Sequence, residues 1–160
     1  MKILFVCTGN ICRSSMADAL FRKLLKKKQL DSEIMCQNAG LSDLSAKEIS
    51  HNVGIALKDY NIDVSDFKPR KFKKDEISVW DVFFTMGDTH TYILEKAGIP
   101  SEKIYTPSKN IPDPYGGDEE TYKNCAKTIK NELEYFLDRL CNVYEFKNNG
   151  ASAYKEDSTA

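Results

Sequence analysis

A cysteine, an arginine and a serine lie within eight residues of one another near the start of the chain. They are Cys7, Arg13 and Ser14, in the string VCTGNICRS that begins at Val6. A thiolate is a strong nucleophile that can later act as a leaving group. A guanidinium presents a planar fork of donors that fits a phosphate group. This spacing predicts a site where Cys7 attacks a phosphorus atom that Arg13 holds.

The elements around this string are suited to such a site. An unbroken apolar run predicts a buried strand over residues 2–7, and apolar residues three and four apart predict a helix over 14–25. A strand-loop-helix junction directs backbone N–H groups and the positive end of the helix dipole into the loop, which favours bound anions and a thiolate. Gly9 and Asn10 tolerate the left-handed backbone that turns N–H groups inward. The alternative is that Cys7 has a purely structural role, as a buried cysteine at the end of a strand.

The rest of the chain alternates strand and helix patterns. We expect further strands over residues 33–37, 80–86 and 104–106, and further helices over 47–60, 89–97 and 119–141. Such alternation predicts an α/β fold with a parallel sheet that helices cover on both faces. Ligands of these sheets bind at the carboxyl ends of the strands, which is where Cys7 lies.

Composition narrows the class of protein. The chain has 160 residues, with 23 basic and 24 acidic side chains and a net charge of −1. This balance predicts neither a nucleic-acid partner nor a membrane surface. We expect one domain over residues 1–144 and a polar C-terminal tail over 145–160. Five irregularly spaced cysteines indicate a reducing compartment, and we expect a cytoplasmic protein.

The histidines do not suggest a metal site. His51 and His90 are far apart in the sequence, and neither has neighbours at metal-ligand spacing. We therefore expect both at the surface, and we expect no metal ion or other cofactor.

The longer string Val-Cys-x-Gly-Asn-x-Cys-Arg-Ser, together with Asp113-Pro114-Tyr115, resembles the low-molecular-weight protein tyrosine phosphatase family. The resemblance covers residues 2–141. It implies a single-domain, four-stranded parallel sheet in the order 2-1-3-4, with a phosphate-binding loop after strand 1. It also implies a monomer that hydrolyses phosphotyrosine in proteins, or small aryl phosphates, through a phosphocysteine intermediate and releases inorganic phosphate.

The resemblance also assigns roles to residues. Cys7 would be the nucleophile, Arg13 would bind the phosphoryl group, and Asp113 would protonate the leaving oxygen and then activate water. The implied substrate-binding residues are Thr8, Gly9, Asn10, Ile11, Cys12, Ser14, Leu44 and Tyr115. Without the resemblance, Asp113 could be a turn-forming aspartate before proline, and Tyr115 could be a turn aromatic that caps the core.

Several alternatives on the same scaffold stay open. In related protein-arginine phosphatases a threonine stands where this chain has Ile11, so Ile11 favours phosphotyrosine. A thioredoxin-coupled arsenate reductase needs extra cysteines after strand 3, and residues 75–100 contain none. A binding module that does not turn its ligand over would not need Cys7, Arg13 and Asp113 together.

Three further features come from the resemblance. Cys12 could form a reversible disulfide with Cys7 or simply pack beneath the loop. Phe67 stands near the position of a histidine that the family uses to brace Asn10. Asp88 follows Met86 by one residue more than is usual.

Overall fold

The computed structural model describes residues 1–42 and 46–146, so Leu44 and residues 147–160 lie outside the described residues. The chain alternates strands and helices throughout this part. The strands are β1 (Lys2–Cys7), β2 (Met35–Gly40), β3 (Val82–Phe84) and β4 (Ile104–Tyr105). The α-helices are α1 (Arg13–Lys27), α2 (His51–Lys58), α3 (Asp88–Lys96) and α4 (Glu119–Val143). No helix within residues 1–42 and 46–146 is long and apolar enough to cross a bilayer.

The strands form one parallel sheet in the order β2-β1-β3-β4, which confirms the order that the family resemblance implies. The strand β1 occupies the centre because its side chains are apolar on both faces. Ile3 and Phe5 point into one core, whereas Leu4 and Val6 point into the other. A strand that is buried on both sides must be apolar without alternation. This central position sets the carboxyl end of β1 between two neighbouring strands.

Helices cover both faces of the sheet. On the larger core's side, α1, α2 and α4 contribute Phe21, Val53 and Phe136. On the opposite side, α3 contributes Leu94, which packs in the smaller core with Trp80. The helix α4 begins at an N-cap, Asp118, whose side chain accepts a hydrogen bond of 2.9 Å from the N–H of Thr121. The expected α/β class with helices on both faces is therefore confirmed.

The strand β2 differs most from its expected position. The sequence predicts a strand over 33–37 that ends in a turn, whereas the strand runs from Met35 to Gly40. Asn38, Ala39 and Gly40 are poor strand formers, but they pair with the last three residues of β1. Tertiary pairing overrides local propensity here, and it brings Asn38 and Gly40 beside the loop that follows β1.

Candidate active site

The loop between β1 and α1 forms the floor of a pocket. We call residues 7–14 the phosphate loop and residues 110–117 the acid loop. The pocket has a volume of about 240 Å³ and lies between these two loops. Its lining residues are Cys7, Thr8, Gly9, Ile11, Cys12, Arg13, Asp113 and Tyr115. The structure thus brings together side chains that lie about a hundred positions apart in the sequence.

The sulfur of Cys7 lies in the pocket beside a hydroxyl group and a backbone N–H. Ser14 Oγ is 3.0 Å from Cys7 Sγ. The backbone N–H of Asn10 donates to the same sulfur over 3.3 Å. Both Asn10 and Ser14 are fully buried. Donors that are already fixed around a sulfur stabilise its anionic form, because they need no reorganisation.

Asn10 adopts the left-handed conformation, with φ of 61°. Its side chain holds the loop in this shape through three hydrogen bonds. Asn10 Nδ2 donates to Ser14 Oγ over 2.9 Å and to Asn38 Oδ1 over 2.5 Å, while Asn10 Oδ1 accepts from the N–H of Arg70 over 2.7 Å. Asparagine tolerates this backbone region better than most residues. From outside the phosphate loop, Asn38 and Arg70 therefore brace Asn10, whereas the resemblance implies a histidine near Phe67 for this role.

Gly40 lies directly beneath the phosphate loop. A Cβ at this position would come within 2.8 Å of Gly9 C and 2.9 Å of Asn10 N. The segment after Gly40 also supports the loop, because the N–H of Leu41 donates to Cys7 O over 2.9 Å and that of Ser42 donates to Thr8 O over 2.9 Å. Sequence inspection missed Gly40 and Asn38 because it placed both in a turn. What indicates their role is their place in the sheet, because β2 ends beside the carboxyl end of β1.

Arg13 connects the two loops. Its guanidinium is largely buried, and Nη1 donates to Ile111 O over 2.9 Å. Arg13 Nη2 lies 3.6 Å from Asp113 Oδ2. The Asp113 side chain is 51% exposed, and its Oδ1 accepts a hydrogen bond of 3.1 Å from the N–H of Tyr115. The carboxylate thus faces the pocket from the side opposite the phosphate loop while it remains open to water.

Aromatic and aliphatic side chains border the pocket. Tyr115 is 70% exposed and lines the pocket at the acid loop. Ile11 is partly buried, and it also packs against the larger core. Leu44, which we expect to form the opposite wall, lies outside the described residues.

His90 is not at the surface, so the expectation from the sequence is wrong. It is buried in the first turns of α3, and its Nε2 lies 3.0 Å from Thr8 Oγ1. Burial lowers the pKa of His90 to about 4, and the charge of Arg13 acts in the same direction, against an opposing effect of Asp113. The missed signal was again position, because α3 starts where β3 ends, at the same sheet edge as Cys7. His51, by contrast, is exposed as expected.

Cys12 lies beneath the loop against polar partners. Its Sγ is 3.2 Å from the hydroxyl of Tyr122, which accepts a hydrogen bond of 2.9 Å from Ser50 Oγ. Burial raises the pKa of Cys12; the hydrogen bond to Tyr122 opposes this shift, and the charge of Asp113 adds to it. Cys12 is therefore held as a thiol while Cys7 carries the donors. Both cysteines are free.

The arrangement has three parts that covalent phosphoryl transfer needs. A sulfur surrounded by donors can attack, a buried guanidinium can hold phosphoryl oxygens, and a carboxylate across the pocket can move a proton. All three parts come from residues that the structure describes.

Comparisons with known proteins agree with this architecture. The family model described as "Low molecular weight phosphotyrosine protein phosphatase" matches residues 2–145. A protein-arginine-phosphatase of Geobacillus stearothermophilus is 33% identical over 87% of this chain and 93% of its own. A low molecular weight phosphotyrosine protein phosphatase of Gallus gallus is 30% identical over 83% of this chain and 94% of its own.

A solved structure supports the same relationship. The low molecular weight protein tyrosine phosphatase of T. tengcongensis superposes with a TM-score of 0.80 and 28% identity, over 88% of this chain and 99% of its own. The chain belongs to the low molecular weight phosphotyrosine protein phosphatase family.

Proposed function

We propose that this protein hydrolyses phosphotyrosine, in proteins or as small aryl phosphates, through a phosphocysteine intermediate. The observation that carries the proposal is the position of Cys7 Sγ, 3.0 Å from Ser14 Oγ and 3.3 Å from the N–H of Asn10, in one pocket with Arg13 and Asp113. Relatives named low molecular weight phosphotyrosine protein phosphatase support the substrate class.

In the first step the Cys7 thiolate attacks phosphorus. The S–P bond forms as the bond between phosphorus and the aryl oxygen breaks, and Asp113 gives its proton to that oxygen. Arg13 and the N–H groups of the phosphate loop bind the equatorial oxygens while charge spreads over them. The products of this step are a neutral phenol and phosphocysteine.

In the second step the Asp113 carboxylate takes a proton from a water molecule. The water oxygen attacks phosphorus, the S–P bond breaks, inorganic phosphate is released, and the Cys7 thiolate and the protonated Asp113 are regenerated. The half-exposed position of Asp113 supports both roles, since the same carboxyl must reach the leaving oxygen and then water. Ser14 and Asn10 stabilise the sulfur anion when it leaves.

The experiment that tests this scheme is a phosphatase assay of the wild type beside Cys7→Ser. We expect turnover to fall by roughly 10⁴-fold or more, because the serine hydroxyl is a poor nucleophile without an adjacent base. The wild type should form an acid-trapped phosphoenzyme at Cys7 that the variant does not form. A variant that kept its rate, or a wild-type rate abolished by EDTA, would contradict the covalent, metal-independent scheme.

A second candidate is hydrolysis of phosphoarginine. The relative from Geobacillus stearothermophilus, 33% identical to this chain, is named protein-arginine-phosphatase. Against it stands Ile11, which lines the pocket where arginine phosphatases have threonine. We expect kcat/KM for a phosphotyrosine peptide to exceed that for the matched phosphoarginine peptide, and Ile11→Thr to shift the ratio toward phosphoarginine. The opposite ratio in the wild type would favour the second candidate.

We also propose that the protein acts as a monomer in the cytoplasm. All pocket residues come from one chain, so a partner copy is not needed to complete the site. The five cysteines are free thiols, which fits a reducing compartment.

A further inference from the structure

A buried carboxylate lies behind the phosphate loop. Asp18, in α1, is fully buried and has no contact with the pocket. Its oxygens accept from Arg22 Nε over 2.7 Å and from Arg22 Nη2 over 3.0 Å. They also accept from Asn38 Nδ2 and, over 3.1 Å, from Cys36 Sγ. Burying a carboxylate costs free energy, and these hydrogen bonds offset that cost while they fix the direction in which each partner donates.

Arg22 is fixed on three sides although its side chain is half exposed. Besides the two bonds to Asp18, its Nη2 donates to Cys36 O over 3.1 Å. Its guanidinium carbon lies 5.6 Å from the centroid of the Phe67 ring, within cation–π range. Phe67 thus holds a cation against the carboxylate from near the position where the family has a histidine.

The Asp18 carboxylate and the backbone N–H of Arg70 together fix the directions of the hydrogen bonds that lead to Cys7. Because a carboxylate only accepts, Asn38 must turn its NH₂ group to Asp18, and its Oδ1 then faces Asn10. Asn10 Nδ2 uses its two hydrogens on Asn38 Oδ1 and Ser14 Oγ, while Asn10 Oδ1 receives the N–H of Arg70.

The last link reaches the sulfur. Ser14 Oγ already accepts from Asn10 Nδ2, so its own hydrogen is available for Cys7 Sγ at 3.0 Å. A hydroxyl that donates to sulfur stabilises the thiolate, whereas one that accepts from sulfur would stabilise the thiol. Two groups therefore orient this O–H bond: the backbone N–H of Arg70, which holds the Asn10 amide, and the Asp18 carboxylate, which acts on Asn10 through Asn38.

We infer that Asp18 and Arg22 are positioning residues that orient the Asn38–Asn10–Ser14 hydrogen bonds so that Ser14 donates to Cys7 and holds it as a thiolate. Neither residue touches the pocket. The catalytic consequence rests on the proposed phosphatase function, whereas the consequence for the ionisation of Cys7 does not.

Replacing Asp18 by asparagine keeps the shape of the side chain but removes the restriction that it can only accept hydrogen bonds. The amide can present either oxygen or NH₂ to Asn38, so the Asn38 amide can turn over and place its NH₂ against that of Asn10. The NH₂ group of Asn38 then pushes against the Asn10 amide, and only the N–H of Arg70 still holds the orientation on which the Ser14 hydrogen depends. Arg22→Leu leaves the Asp18 carboxylate without its cation and favours the protonated acid, which can donate and so reverse the same chain.

The test is the pH profile of Cys7 alkylation by iodoacetamide, followed by mass spectrometry of the Cys7 peptide. We expect the midpoint of the profile to rise by about one pH unit in Asp18→Asn and in Arg22→Leu, since a hydrogen bond to a charged group is at stake. Below the midpoint, kcat should fall about tenfold with little change in KM. Arg22→Lys, which keeps the charge, should recover a large part of the shift.

Two controls separate positioning from loss of stability. Ile34→Val shortens a buried side chain beside β2 and should leave the midpoint unchanged. Lys130→Ala removes another helical ion pair, to Glu134, and should also leave it unchanged. The charged and titratable groups around the pocket are the same in every variant; they are Arg13, Asp113, His90, Cys12 and Cys125. The difference between profiles therefore reports the Asp18–Arg22 pair.

The outcomes are distinct. If folded Asp18→Asn and Arg22→Leu have the wild-type midpoint, or if Ile34→Val moves it equally, the inference is overturned. If Asp18→Asn does not fold, Arg22→Leu decides, because Arg22 lies at the surface. A shifted midpoint in a protein without phosphatase activity would support the positioning role and reject the proposed function.

Discussion

The phosphate loop and the acid loop face the same pocket, but they are held in opposite ways. In the phosphate loop, Asn10 and Ser14 are fully buried, and their side chains bond to one another beneath the sulfur. In the acid loop, Asp113 is 51% exposed and Tyr115 is 70% exposed. The first loop is anchored through its functional side chains as well as its backbone. The second is anchored at Ile111 O, which accepts from Arg13, and by the buried Pro114, while its functional side chains stay exposed.

This difference follows from what each loop must do. An anion site works best when its donors are already fixed, because their alignment then costs nothing when the anion arrives. A proton donor that later activates water must meet both an ester and solvent. Substitutions in the acid loop should therefore change chemistry with little effect on stability, whereas substitutions beneath the phosphate loop should change both.

After Cys7→Ser, the largest effect should come from Asp113→Ala. We expect kcat to fall by roughly 10²–10⁴ for phosphotyrosine, whose leaving oxygen needs a proton, and by much less for p-nitrophenyl phosphate. The melting temperature should stay near that of the wild type. Asp118→Ala is the matched control: it removes a carboxylate just beyond the loop and costs α4 its cap, so it should lower stability and spare kcat. Equal losses for both esters would exclude Asp113 as the acid.

The next largest effect concerns His90, on the α3 side of the phosphate loop. Because burial lowers its pKa to about 4 from 6.5, the unfolded chain binds more protons than the folded chain between these values. Stability from this group is complete above pH 6.5 and is lost as the pH falls toward 4. Between pH 7.5 and 4.5 the loss should be about 2–3 kcal/mol of unfolding free energy.

Urea denaturation of His90→Gln at the two pH values measures this loss. The glutamine can still bond to Thr8 Oγ1 but does not titrate, so the variant should lose less stability on acidification than the wild type does. His51→Gln replaces the exposed histidine and should retain the wild-type dependence. If the unfolding free energy of His90→Gln depended on pH as strongly as that of the wild type, His90 would not be the titrating group.

The sequence predicted the fold well because the strongest patterns were the structural ones. The apolar run of β1 places apolar side chains on both faces of a strand that two cores bury, and the three- and four-residue spacing in α1 and α4 places them on the one face that packs against the larger core. Element ends were less well predicted. The predicted position of β2 was wrong because asparagine and glycine, as residue types, favour turns. Asn38 and Gly40 belong to a strand only because they pair with β1.

The pocket was predictable to the extent that its residues share one string or one family motif. Cys7, Arg13 and Ser14 are neighbours in sequence, and Asp113 was found by resemblance alone. His90 and Gly40 carry no motif. They reach the phosphate loop because the carboxyl ends of β2 and β3 lie beside that of β1, which strand order decides and local sequence does not.

A pair of glycine variants should show the difference between the two loops through an effect smaller than that of His90. In Gly40→Ala the new methyl group meets the backbone of Gly9 and Asn10, so the phosphate loop must shift, at a cost of about 1–3 kcal/mol. In Gly116→Ala the methyl group meets open space, and only the left-handed backbone, at φ of 81°, is strained. Inhibition by inorganic phosphate should weaken in the first variant and persist in the second. Equal weakening in both would contradict the contrast.

The smallest effect should come from Tyr115→Ala, which tests whether the exposed ring is a wall for the substrate. Contact with an aromatic ring stabilises by about 0.5–1.5 kcal/mol, so kcat/KM for aryl phosphates should fall by a few-fold to about tenfold. Phosphate inhibition should not change, because the phosphate loop makes no use of this ring. Tyr115→Phe should match the wild type, since the ring rather than the hydroxyl provides the contact. If Tyr115→Ala lowered phosphate affinity as well, the acid loop would have to help hold the anion, and the division of work between the two loops would be wrong.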